Sequence, residues 1–113
     1  MGKNTEALIQ VEIVKYLQSE KIYFFSCPNE AAGGNKVRSM QMVSMGLRSG
    51  VSDMVVFLPS GEIIFVEVKA PKGKQSDRQK KFEKRVTDYG YKYFLVYSVN
   101  DVKNIIDYYG KVN

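Results

Sequence analysis

The stretch from Gly50 to Gln79, GVSDMVVFLPSGEIIFVEVKAPKGKQSDRQ, holds two β-type runs and three charged residues that do not belong beside them. Met54–Leu58 and Ile63–Val66 are rich in β-branched and aromatic residues. Pro59-Ser60-Gly61 between them suits a three-residue hairpin loop, because Gly accepts the left-handed conformation at little cost. Such a loop sets Phe57 opposite Ile63, Val55 opposite Phe65 and Asp53 opposite Glu67, unless a bulge shifts the register. Directly opposed residues share one face with Cβ atoms about 5 Å apart. Lys69, two residues beyond Glu67, points to that face roughly 7 Å further along. Two carboxylates and one ammonium are thus expected together at the open end of the hairpin.

Val55, Phe57, Ile63 and Phe65 line one face of the hairpin; Met54, Val56, Leu58, Ile64, Val66 and Val68 line the other. Two apolar faces predict a central strand pair covered on both sides. Opposed like charges are destabilising there, the more so if half-buried. A divalent cation between them removes the conflict, and Asp and Glu oxygens suit Mg²⁺ or Mn²⁺. Lys69 can then orient or deprotonate a water, or stabilise charge developing on a phosphate. The plainer alternative leaves Asp53 in water at a strand end and makes Glu67 and Lys69 an edge ion pair. The matching register of Asp53 and the basic helix that follows favour the metal site.

The rest of the 113 residues reads as one α/β domain, residues 1–113, with a helix-flanked mixed sheet. A first helix is predicted over Thr5–Glu20, capped by Asn4 or Thr5, with Leu8, Ile9, Ile13, Tyr16 and Leu17 as its apolar stripe. Ile22–Ser26 reads as a short strand, Pro28–Asn35 as a turn-rich break, and Arg38–Leu47 as either strand or helix. A helix over Asp77–Asp88 is capped by Ser76 and followed by Gly90. Tyr91–Tyr97 is the next strand. A last helix runs from a cap at Asn100 or Asp101 to about Tyr109; its Ile105, Ile106, Tyr108 and Tyr109 suit the core, or an interface.

Histidine is absent, which excludes His–Ser, His–Cys and His–zinc chemistry, and Cys27 alone can form neither an internal disulfide nor a cysteine cluster. One cysteine fits a reducing cytoplasm. The first residues, MGKNTEALIQ, do not resemble a signal peptide, and no apolar run approaches the ~20 residues of a membrane span. The net charge is +5, and seven of the 17 basic residues (Lys72, Lys74, Arg78, Lys80, Lys81, Lys84 and Arg85) lie in one run with only Asp77 and Glu83. Such a run reads as a phosphate-binding surface or as a solvated helix face. Ser76 and Gln79 form an S-x-x-Q capping box, in which Gln79 bonds back to the cap.

G-V-S-D, a hairpin, V-E-V-K and then G-K-Q-S-x-x-Q resemble, in that order, the VRR-NUC domain of the PD-(D/E)XK nuclease superfamily. Gly90-Tyr91 after the helix, and Glu6 with Gln10 on the first helix, extend the resemblance from Glu6 to about Tyr109. Ser52 stands where that family usually has Pro, and residues 29–47 match loosely. The resemblance implies a restriction-endonuclease-like core and an endonuclease that hydrolyses DNA with Mg²⁺ or Mn²⁺. It assigns the ion to Asp53, Glu67 and the Val68 carbonyl, and the attacking water to Lys69. Glu6 is the implied fourth acid, reaching the metal directly or through water, with Glu12 as the alternative. Gln79 is implied at the edge of the site, and the Lys72–Arg85 run on the phosphates. Small members of the family, of the kind carried by phages, imply branched DNA such as Holliday junctions as substrate, a homodimer as the working unit and the host cytoplasm as location. The rival reading is a nuclease-fold module that binds DNA without cutting it.

Overall fold

A computed structural model describes residues 2–27 and 36–110, at residues 2–4 the backbone alone. In chain order the elements are α1 (Gly2–Ser19), β1 (Tyr23–Ser26), α2 (Lys36–Ser44), β2 (Met54–Phe57), β3 (Ile63–Val68), α3 (Asp77–Asp88), β4 (Lys92–Val96) and α4 (Val99–Tyr109). The four strands form one sheet in the order β1-β2-β3-β4. The first three run antiparallel and β4 lies parallel to β3. A parallel neighbour requires a crossover, and α3 supplies it. The α/β class with a helix-flanked mixed sheet is as the sequence predicts.

The hairpin closes in the expected register, with Phe57 opposite Ile63 and Val55 opposite Phe65. The Leu58 N–H donates to the Glu62 carbonyl at 2.8 Å, and Gly61 turns the loop at a φ of +97°. One face is completely covered. Met54, Val56, Leu58, Ile64, Val66 and Val68 are buried with Ile13 and Leu17 of α1 and with Val102 and Ile106 of α4. The other face is only partly covered, which corrects the expectation of a doubly covered pair. Phe82 of α3 meets Phe65 edge-on, with ring centroids 5.3 Å apart, whereas Phe57 packs under Tyr23 and Phe25 of the edge strand, which face solvent. One helix cannot span four strands, so the β1 side of this face stays open.

Three local expectations change. Helix α1 begins at Gly2, so positions 4 and 5 lie inside it; a terminal Gly costs a helix only about 1 kcal/mol. Leu8 is 67% exposed because it lies about 100° around the helix from Ile9, off the stripe of Ile9, Ile13, Tyr16 and Leu17. Helix α4 is capped by Ser98, not by Asn100 or Asp101. The Ser98 hydroxyl accepts from the Asp101 N–H at 3.2 Å, and the Asp101 carboxylate accepts from the Tyr97 N–H at 2.8 Å. The Ser98 cap starts the helix earlier.

The ambiguous segment is the helix α2, which has no buried residue and exposes Val37, Met40 and Val43. The predicted break at Pro28–Asn35 lies outside the described residues. At the end of the chain Ile106 enters the core with Ile105 and Tyr109 packed against it, while Tyr108 points outward. Among the described residues no helix is long and apolar enough to cross a membrane.

Ile64 is fully buried between the two helices of the covered face. Ile64→Ala is expected to lower stability by about 2–5 kcal/mol through lost burial and the cavity left behind. Leu8→Ala should stay within about 0.5 kcal/mol. Urea unfolding of the two variants checks both; equal losses would return Leu8 to the core.

Candidate active site

The loop entering β2 is pressed against the start of α3. Gly50 adopts a φ of +78°, and a Cβ there would stand 2.6 Å from the Arg78 Cβ and 2.9 Å from its carbonyl carbon. Only glycine meets both conditions. Ser52 is fully buried, and its hydroxyl donates to the Met54 carbonyl at 3.1 Å, so its polar atom has a partner. The strand ladder stops at Met54–Val66, yet Asp53 is held across the gap. Its carbonyl accepts from the Cys27 N–H at 2.8 Å, and its carboxylate accepts from the Val68 N–H at 2.6 Å.

These anchors bring the Asp53 and Glu67 carboxyl groups within hydrogen-bonding reach of each other. Glu67 is 1% exposed. Tyr93 donates to its Oε1 at 3.3 Å and Gln79 donates to its Oε2 at 2.8 Å. The Lys69 ammonium is 3.8 Å from the same Oε2. Gln79 also closes the capping box: its Oε1 accepts from the Ser76 N–H at 2.9 Å, and its own N–H donates to the Ser76 hydroxyl at 3.2 Å. Both sequence readings of Gln79 therefore hold in one side chain. Behind Tyr93, Gln75 donates to the phenol oxygen at 3.2 Å and to Glu83 at 2.9 Å.

Asp53, Glu67, Lys69 and Gln79 are thus brought together. Glu6 is not brought into a carboxylate cluster with them: among the described residues no three His, Cys, Asp or Glu side chains gather as a metal site. Glu12 is exposed beside Lys15, Tyr16 and Lys103, on the α1–α4 surface. The basic run does not form one face either. Arg78 donates to the Ser49 hydroxyl at 2.9 Å, Lys84 pairs with Asp88 at 2.9 Å, Lys80 is exposed, and Lys72 and Lys74 lie in the loop before α3.

A family model of the VRR-NUC domain matches residues 4–100. The chain belongs to the VRR-NUC domain family. This is a family of nuclease domains within the PD-(D/E)XK superfamily. A solved VRR-NUC domain superposes with a TM-score of 0.65 at 25% identity, covering 93% of this chain and 97% of its own. A solved VRR-NUC domain protein superposes with a TM-score of 0.74 at 16% identity, covering 93% of this chain and 87% of its own. No curated protein matches.

In this VRR-NUC domain Tyr93 supports the acid pair from outside the sequence motif, and Gln75, which stands inside G-K-Q-S-x-x-Q without an assigned role, supports Tyr93. A signal for Tyr93 exists in strand parity. It faces Phe65 across the parallel pair, and Phe65 is two residues from Glu67, so all three share a face. Gln75 shows no such signal, because it lies in a loop.

Burial pushes the Glu67 carboxyl up to about 8, and the charge of Asp53 and a hydrogen bond to it push the same way; Lys69 and Tyr93 pull it down. Burial and the Glu67 charge also raise the Tyr93 phenol. The carboxyl is protonated in folded and unfolded chains well below its ordinary value of 4.5. From there to about 8 the folded protein keeps the proton that the unfolded chain has released. The ion-free protein should therefore lose stability as pH rises through that window. Glu67→Gln should flatten the fall. Melting temperatures across the range in chelator check it, and an unchanged slope in the variant would assign the dependence to another group.

Proposed function

We propose that this domain is a metal-dependent endodeoxyribonuclease that hydrolyses phosphodiester bonds in branched DNA, Holliday junctions among them. The observation that carries the reading is the buried Asp53–Glu67 pair with Lys69 beside it. Burial, and after it the charge of Asp53, raises Glu67, and both costs of ionising it are relieved by a cation beside the pair. The donors are all oxygen, which suits a hard cation. Mg²⁺ keeps several of its waters and is commonly bound through one or two carboxylates plus substrate phosphate, so two acids are enough. Asp53 and Glu67 hold Mg²⁺ or Mn²⁺ together with the Val68 carbonyl, and Glu6 is left the water-mediated role.

When bound, the ion supplies Lewis acidity toward water and phosphate. The chain's own part is placement. Gln79 and Tyr93 fix the two oxygens of Glu67, and the Val68 N–H fixes Asp53. Lys69 positions the attacking water and places positive charge where negative charge develops on the phosphate. A homodimer supplies the two incisions that resolving a junction needs, and two-fold pairing is the commonest assembly. Apolar surface open to pairing includes Val37, Met40 and Val43 of α2, whereas Ile106 is taken up by the core.

Asp53→Asn and Glu67→Gln are each expected to abolish nicking in Mg²⁺ or Mn²⁺ while keeping the fold, because each removes a charge and leaves the buried side-chain volume in place. Cleavage of four-way junctions and linear duplexes is compared with and without metal, and light scattering gives the assembly. Wild-type nicking by either folded variant would remove the catalytic assignment. No cutting of any DNA by the parent protein would leave a DNA-binding module.

A further inference from the structure

Between α3 and the loop before β2 lies an open cleft of about 480 Å³ whose lining includes Arg48, Arg78, Lys81, Phe82, Arg85 and Tyr89. Two segments distant in sequence build it. Arg78, Lys81, Arg85 and Tyr89 follow one stripe along α3 and its last turn, at successive spacings of three and four. Arg48 comes from the loop before β2, which is held against α3 by the Arg78–Ser49 hydrogen bond and by the close approach at Gly50. Among the described residues no carboxylate stands within ion-pair distance of Arg48, Lys81 or Arg85. Tyr89 is 72% exposed at the C-terminal end of α3. Both walls lead to the acid pair: Arg78 precedes Gln79, which touches Glu67, and the Arg48 loop runs on to Asp53.

We infer that this cleft binds an unpaired DNA strand, with Tyr89 as the ring on which a base stacks and Arg48, Lys81 and Arg85 as the phosphate contacts. The inference rests on the nuclease reading only in taking DNA as the ligand. Base faces inside a duplex are covered by their neighbours, so an exposed ring gains stacking energy from unpaired bases. Guanidinium and ammonium groups free of carboxylate partners attract the phosphate backbone without regard to sequence. The unpaired strand at a branch or flap is thereby led toward Asp53 and Glu67.

The test is binding of a labelled oligothymidylate and of a blunt duplex of equal length, in chelator so that nothing is cut. Tyr89→Ala should weaken oligothymidylate binding roughly 5- to 100-fold and leave duplex binding as it was, with Tyr89→Phe retaining the parent affinity. Arg48→Ala should weaken binding and lower the slope of log affinity against log salt by about one. Equal loss on both DNAs in Tyr89→Ala, or loss on neither, would overturn the inference. Because the readout is binding, a protein that shows this difference in chelator and cuts nothing when Mg²⁺ or Mn²⁺ is supplied would refute the nuclease reading and keep the cleft.

Discussion

Glu67 is almost wholly shielded from water and stands against a second carboxylate, an arrangement that the chain sustains only by surrounding it. Every neighbouring element contributes to that one group. Strand β3 carries it, and β2 delivers Asp53. The parallel strand β4 supplies Tyr93, and the first turn of α3 supplies Gln79. Isolated buried charges cost several kcal/mol, so the carboxyl keeps its proton in the ion-free protein. The sheet could be built from apolar residues here at lower cost. That it is not, at the place where a hairpin opens toward a basic helix, marks the site.

Gln79 ties the chemistry to the scaffold. Its carbonyl oxygen closes the N-terminal cap of α3 while its amide nitrogen holds Glu67. A cap of this kind stabilises a helix by about 1 kcal/mol, so the start of α3 and the orientation of the acid depend on a single side chain. The loop before β2 is bound to the same helix turn at Gly50 and Arg78. Asp53 and Glu67, although on separate strands, thus share one reference point.

The hairpin register, α3 with its cap, and the meeting of Asp53, Glu67 and Lys69 were legible because each follows from local rules. Strand alternation, loop length and the S-x-x-Q spacing operate within a few residues. What was not legible depended on distant partners. The open flank of Phe57 comes from having a single helix on that face, and Leu8 loses its core role because of how α1 seats on the sheet. Ser98 displaced Asn100 and Asp101 as the cap because its hydroxyl accepts from the Asp101 N–H while the Asp101 carboxylate is taken up by the Tyr97 N–H. No residue of α2 is buried, so no burial pattern marks it as helix or strand. Glu6 stood ahead of Glu12 on the first helix, and that among the described residues neither joins the acid pair in a cluster of three is a matter of tertiary placement.

The topology also orders assembly. The β2–β3 hairpin closes over a three-residue loop, whereas β3 meets β4 only after the whole α3 crossover has been laid down, so the hairpin closure has the smaller entropic cost. Asp53 and Glu67 therefore approach each other while water still screens them. The desolvation that sets them in conflict arrives late, when α3 and Tyr93 close over the hairpin. The cost of burying the acid pair thus falls on the closure of α3 and β4 over the hairpin, and not on the hairpin itself.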